Sequence, residues 1–301
     1  MSIELLTYTN FSFLHDTSHA SEMVRTAKML EITTVGVCDT NSFAGLVRAH
    51  VAAKEEGLRF IPGTRLVLAD TPEVLACLPR NRAGYGKLSR LLTSGRRRAE
   101  KGQCHLLLED VLEGLEDCEI IISPPDPLVG ERHAILQQIS ERFGDAVSLA
   151  ATFAFDGYDQ RRFTALENLS KASGIPLVAT NQPLMHIRAR RSLADVLTCL
   201  RLGRTIETLG RDALKNAEAC LKDLKPLYAD HPQMLARAEI VAARCTFSLD
   251  ELRYEYPDEI SPEGKAPQER LVELANAGLK IRYPSGPPPQ RTLDLMAMNW
   301  P

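Results

Sequence analysis

Residues 33–44 read TTVGVCDTNSFA, and the fold class turns on them. A β-branched run stops at Asp39, small polar residues follow, and a helical pattern begins near Phe43. That order describes a strand, a turn and a helix, with a carboxylate delivered to the C-terminal end of the strand. In βα architectures chemistry collects at that end. The decisive question is therefore which side chains Asp39 has for company.

Working outward, Ile3 to Thr9 reads as a strand, closed by the polar cluster His15-Asp16-Thr17-Ser18-His19. Ser21 is placed to cap a helix to about Leu30, with Met23, Ala27 and Leu30 on one face. Phe43 to Glu56 predicts a helix stopped by Gly57 in the left-handed conformation. Phe60 to Leu68 is a strand interrupted at Pro62-Gly63, Val74 to Leu78 another, and Arg82 to Thr93 a helix. The run Arg96-Arg97-Arg98-Ala99-Glu100-Lys101 is the most basic in the chain and a candidate phosphate contact. No aromatic residues interleave with it for base stacking, which favours a solvated loop.

The alternation continues through Glu119–Ser123, the loop Pro124 to Pro127, helix Glu131–Phe143, strand Ala146–Ala151, helix Gln160–Ala172 closed by Gly174, and strand Leu177–Thr180. Six or seven such units predict a barrel or an open parallel sheet. From Ser192 the strands stop: Ser192–Leu200, Asp212–Leu224, Gln233–Arg244 and Gln268–Lys280 read as helices, and Leu249 to Pro257 as an extended segment. The prolines at 284, 287, 288, 289 and 301 predict an irregular, disordered tail from residue 285 on.

The composition, 44% hydrophobic and 25% charged over 301 residues, is that of a globular chain. A formal net charge of -3 argues against a whole-surface nucleic-acid binder and leaves room for a local patch. MSIELLTYTN has an early acid and no apolar core, unlike a signal peptide. The longest uncharged apolar stretch, Ala146 to Phe155, is too short to span a bilayer. Seven scattered cysteines without a C-x-x-C pair suit reduced thiols, so a cytoplasmic location is expected. No GxGxxG or Walker pattern opens a helix, and no G-x-S-x-G surrounds Ser123.

Several ordered segments resemble one family. They are Thr9-Asn10-Phe11-Ser12-Phe13-Leu14, the stretch Asp39 to His50, Arg96 to His105, Val178 to Asn181 followed by Arg191 to Thr198, and Phe247 to Glu259. Together they resemble the N-terminal part of bacterial C-family (DnaE-type) DNA polymerases, in their error-prone, damage-inducible branch. The resemblance implies a PHP (polymerase and histidinol phosphatase) domain over residues 1–190, a distorted (β/α)7 barrel. A helical extension would cover 191–248 and the start of a palm-connecting region 249–284. It also implies DNA as partner in the full-length family, with other replication or mutagenesis proteins possible, and no membrane. The palm that binds Mg2+ for nucleotidyl transfer is expected to lie beyond this sequence, which resembles a polymerase truncated before it.

An active PHP barrel gathers His, Asp and Glu at the C-terminal ends of its strands to bind up to three divalent metals. Each metal needs several N or O ligands, and the cluster's charge must be offset by carboxylates. Carried over position by position, the resemblance puts Leu6 and Tyr8 where two histidines belong. Asp39 survives, but Thr40 replaces the histidine after it. Arg65 stands for a glutamate, and Gln182 and Leu184 flank Pro183 where an Asp and a His belong. The pocket is thus expected to be vestigial, with no metal, no catalytic residues and no cofactor in this chain. A degenerate pocket fits the error-prone branch.

Two consequences follow from the residues. Asp39 and Arg65, ending neighbouring strands about 4.8 Å apart, are expected to form an ion pair in place of metal. The alternative has both facing solvent. His15 and His19 with Asp16 and Asp39 are candidates for a relocated metal site, and equally for plain surface residues. His186 is a candidate for the same pocket; His105 and His50 read better as packing or capping residues. Against the scaffold reading stand two others. One is a stand-alone PHP phosphoesterase acting on a small phosphate ester, betrayed by stoichiometric metal. The other is an interaction module whose exposed helical face would self-associate.

Overall fold

The computed structural model describes residues 2–125, 133–253 and 264–299. In order come β1 (Ile3–Thr7), α1 (Ala20–Met29), β2 (Thr34–Val37), α2 (Leu46–Glu56), β3 (Arg59–Pro62), β4 (Thr64–Val67), β5 (Val74–Pro79), α3 (Arg82–Arg97), α4 (Leu108–Gly114) and β6 (Cys118–Ser123). Then follow α5 (His133–Phe143), β7 (Val147–Ala151), α6 (Asp159–Ser173), β8 (Leu177–Ala179), α7 (Arg191–Leu202), α8 (Ile206–Leu209), α9 (Leu224–Leu227) and α10 (Pro232–Arg244). Met1–Leu252 is one compact unit and Arg253–Pro301 a second, which holds α11 (Pro267–Arg282) and α12 (Gln290–Asn299).

Among the described residues the strands do not form a closed barrel. They make two sheets, β1-β2-β3 and β4-β5-β6-β7-β8. The alternation was expected to be parallel throughout, yet β5 runs antiparallel to both β4 and β6. Residues 68–73 between β4 and β5 are too few for a crossover helix, so the chain must turn back. β3 and β4, one in each sheet, are halves of one extended run broken at Gly63. A Cβ there would stand 2.5 Å from Leu78 Cδ2 and 2.7 Å from Cys38 Sγ, so only glycine lets the strand pass. Before the break the run pairs with β2, and after it with β5. Past the end of β2, Arg65 N donates to Asp39 O (3.1 Å) and Asn41 N to Arg65 O (2.8 Å), which stitches the sheets together.

The strands are buried on both faces, and alternate residues serve two cores. Ile120 and Ile122 of β6 with Leu149 of β7 pack outward under α3 to α6, while Ile121, Ala150 of β7 and Val178 of β8 point inward. The inner cluster also takes Leu5 and Leu6 of β1 and Ala238, Val241 and Ala242 of α10. Small inward residues such as Ala76 and Ala150 leave room for that helix. The expected boundary at residue 190 therefore falls inside one packed unit, because α10 shares a core with β1.

Other expectations need correcting. Asp212–Leu224 is not a helix: Leu184 N donates to Ala219 O (2.9 Å) and Leu221 N to Met185 O (3.0 Å), so its backbone pairs with the segment after β8. α1 is capped at His19, not Ser21, because the Glu22 carboxylate accepts from His19 N (2.8 Å). α3 runs on through Arg96 and Arg97, so these are helical residues and not a loop. The tail holds a helix, α12, since Pro289 sits at its entrance, where a missing N–H costs nothing. Asp126, Pro127, Glu131, residues 254–257 of the tyrosine-rich segment and Pro301 lie outside the described residues.

Between β8 and β1 no ladder forms among the described residues. Within the strands the gap is bridged by the buried side chain of Glu4. Glu4 accepts from Thr180 Oγ1 (2.6 Å) and Leu6 N (2.9 Å) on one oxygen, and from Asn181 N (2.7 Å) on the other. Burial raises its pKa, and these donors oppose the rise. Helix α10 packs against both strands beside it. Glu4→Ala strands three donors in a dry interior. It is expected to lower unfolding free energy by about 3 kcal/mol in a urea titration; a loss within error would mean that α10 alone holds the seam.

Candidate functional site

Tyr8, Asp39, Thr40 and Gln182 lie just past the C-terminal ends of β1, β2 and β8, whereas Arg65, expected to end a strand, is the second residue of β4. Tyr8, just past β1, is buried, and its hydroxyl donates to Gln182 Oε1 (3.0 Å). Ser123 Oγ at the end of β6 donates to the same oxygen (3.0 Å), and Gln182 Nε2 donates to Thr152 Oγ1 (2.9 Å). The amide thus ties the ends of β1, β6, β7 and β8 together, from a backbone at φ 47°, a left-handed position that glutamine rarely occupies. Burial pushes the Tyr8 phenol up, so it remains a neutral donor. Leu6 is fully buried and Leu184 packs against the same inner cluster.

Arg65 does not pair with Asp39. Its Nε and Nη2 donate to Thr40 Oγ1, at 3.0 and 2.6 Å. Its guanidinium lies 4.0 Å from the Tyr8 ring centroid, and its charge partner is Asp16 at 3.8 Å. Asp39 is already satisfied. Oδ1 accepts from Thr9 N (2.7 Å) and Ser12 Oγ (2.9 Å), and Oδ2 from Thr9 Oγ1 (2.8 Å). With both oxygens spent on the loop after β1, Asp39 needs no cation. Its pKa is raised by burial, with the Thr9 and Ser12 bonds opposing.

Asp16 was the residue sequence reading passed over as the partner of Arg65. Its carboxylate is fully buried, and neither oxygen has a hydrogen-bond partner. Burial pushes it up from 3.8 to about 7 against the pull of Arg65. Nothing in the local pattern HDTSH announces this; only the loop's path sets Asp16 beside Arg65.

The set does not fit a cluster of divalent cations. A fixed guanidinium, a neutral phenol, an amide and two leucines offer a divalent ion few of the N and O donors it needs. Among the described residues no three His, Cys, Asp or Glu side chains come together as a ligand group. His15 is exposed, while His19 caps α1 with its Nδ1 3.2 Å from Asn10 Oδ1. Neither joins Asp39. His186 Nδ1 sits 2.8 Å from Ser18 Oγ, holding loops rather than facing the pocket. His50 Nε2 bonds Asp250 (3.1 Å), and His105 N donates to Gly95 O (2.9 Å).

The basic run splits. Arg98 is neutralised by Asp110 (2.7 Å), and Arg96 Nη2 donates to Asn41 O (2.9 Å), which leaves its charge in place. Arg97 is exposed. Arg96 and Lys101 line a cleft of about 470 Å³ together with Phe11, Phe13 and His15. The aromatic residues missing from the run in sequence are supplied from the loop after β1.

A family model described as PHP domain matches residues 4–161. The chain is 42% identical to the error-prone DNA polymerase of Ruegeria pomeroyi, covering 98% of this chain and 30% of the relative. It is 42% identical to that of Sinorhizobium medicae (95% and 26%) and 39% to that of Caulobacter vibrioides (97% and 27%). The chain thus spans less than a third of these relatives' length. A solved metal-dependent phosphoesterase from Bifidobacterium adolescentis aligns with TM-score 0.47 at 12% identity, over 60% of this chain and 86% of that one, too slight a likeness to bear on chemistry.

The Asp16–Arg65 contact sets a pH dependence. With a folded pKa of about 7 against an ordinary 3.8, the native state holds a proton that the unfolded chain has released. Its contribution to stability is present below about pH 4 and is lost as pH rises through about 7. Asp16→Asn removes that loss. Urea titrations at acid and at mildly alkaline pH should therefore show the variant gaining on the wild type as pH rises; a constant difference would show that Asp16 ionises normally.

Proposed function

The chain belongs to the PHP domain family, and from that premise we propose that it is the PHP module of an error-prone DNA polymerase, kept as a scaffold after losing phosphoester chemistry. The observation that carries this reading is the Arg65 guanidinium, seated on the Tyr8 ring and anchored by Thr40. A permanent cation in the former ligand ring repels a divalent ion at short range, and the low local dielectric strengthens that repulsion. Gln182 supports the same conclusion from the other side. Its amide fills the mouth with hydrogen bonds to Tyr8, Ser123 and Thr152, so strand ends once spaced by metal are spaced by protein.

In this reading the 39–42% identity to polymerases reflects a shared part of a larger enzyme. DNA-directed synthesis, including synthesis across lesions and the resulting mutagenesis, belongs to the full-length protein. Its magnesium would be held by acids of a palm, outside the pocket described above. The module would act in the cytoplasm by bracing its neighbours. Among the described residues no helix is long and apolar enough to cross a membrane.

The test is direct. The purified chain should carry only substoichiometric manganese, zinc or iron by elemental analysis. It should not hydrolyse bis-p-nitrophenyl phosphate when those metals are added. Bound metal in stoichiometric amount, or metal-dependent turnover lost on Asp39→Asn, would instead make this a stand-alone phosphoesterase.

A further inference from the structure

We infer that the cleft between the loop after β1 and the turn after α3 binds single-stranded nucleic acid, apart from the Tyr8–Gln182 pocket. One wall is aromatic. Phe13 is 78% exposed, and Phe11 lies with its ring 5.3 Å from the Arg48 guanidinium. The other wall is cationic. Lys101 forms no ion pair among the described residues, and Arg96 is held in place by a carbonyl, which leaves its charge available. A single exposed phenylalanine means little by itself. An exposed ring and an arginine-stacked ring sharing a cleft of about 470 Å³ with two cations match a nucleotide's two recognition needs. These are a flat face for the base and positive charge for the phosphate.

Arg96 and Lys101 outnumber the one acid in the lining, Glu100. The His15 imidazole, exposed as a residue but with its ring partly desolvated, is held below its ordinary pKa by that desolvation and by the positive charges of Arg201 and Arg65, so it adds no charge of its own. The same helix α3 lines a second hollow, where Arg90 and Arg97 form no ion pair among the described residues and stand beside Ser94. Two turns of helix separate them, a spacing that follows a backbone rather than one phosphate. Duplex bases are stacked inward and cannot lie on Phe13, so the site selects single strands. The choice of DNA over RNA rests on the polymerase reading above; the cleft's chemistry does not.

The experiment is fluorescence anisotropy of the whole chain with a labelled oligothymidylate about 12 nucleotides long. Binding is expected at low salt, weakening as salt rises. Phe13→Ala should weaken it about 5-fold or more, and Lys101→Gln should reduce the log–log salt slope by about 0.7. Both residues are exposed, so circular dichroism should be unchanged. No binding at low salt, equal binding of a duplex of the same sequence, or full affinity in Phe13→Ala would overturn the inference. Equal binding of oligouridylate would overturn only the choice of DNA. None of these outcomes touches the metal and turnover measurements, so this proposal and the scaffold reading fail separately.

Discussion

The structure depends on a carboxylate buried where a strand ladder is missing. Strands that lie side by side without a ladder must be held by side chains or covered. Here the seam between β8 and β1 is held by Glu4, whose oxygens accept from Thr180, Leu6 and Asn181. Helix α10 lies along the same seam, sending Ala238, Val241 and Ala242 into the inner cluster. Such a buried acid stabilises only while its donors stay in place. That requirement locks the ends of β1 and β8 together, and so fixes where Tyr8 and Gln182 meet.

The pocket follows from that constraint and from charge balance. Two carboxylates, Asp16 and Asp39, lie buried near the strand ends with one guanidinium between loops. Hydrogen-bond geometry decides which acid the cation serves. Asp39 has three donors of its own within 2.9 Å and is neutralised locally. Asp16 has no such donor within hydrogen-bond geometry, so Arg65 is its main compensation, and at 3.8 Å an incomplete one. The expected Asp39–Arg65 pair fails for this reason: a carboxylate already filled by amide and hydroxyl donors gains little from a cation.

The same loop has two faces. Inward, Thr9 and Ser12 engage Asp39; outward, Phe11 and Phe13 form the aromatic wall of the cleft. A segment whose buried side is tied down by a carboxylate can afford to present greasy rings to water, since its conformation does not depend on them. Leu14, at φ 61°, is one sign that the loop is held against local preference.

Much was legible in the residues themselves. The β-branched runs, the stop at Gly57 and the break at Pro62-Gly63 located most strands and helices, because those signals act within a few residues. The side chains at Leu6, Tyr8, Arg65 and Gln182 were also legible as poor metal ligands, since ligand chemistry belongs to the side chain. What sequence could not settle is long-range pairing. That β5 runs backwards, that residues 212–224 pair with the segment after β8 and not with themselves, that Arg65 turns to Asp16, and that Phe13 joins Lys101 all depend on contacts between residues distant in the chain. Such contacts are decided by which buried polar group is left without a partner once the strands have packed, and only the tertiary structure completes that count.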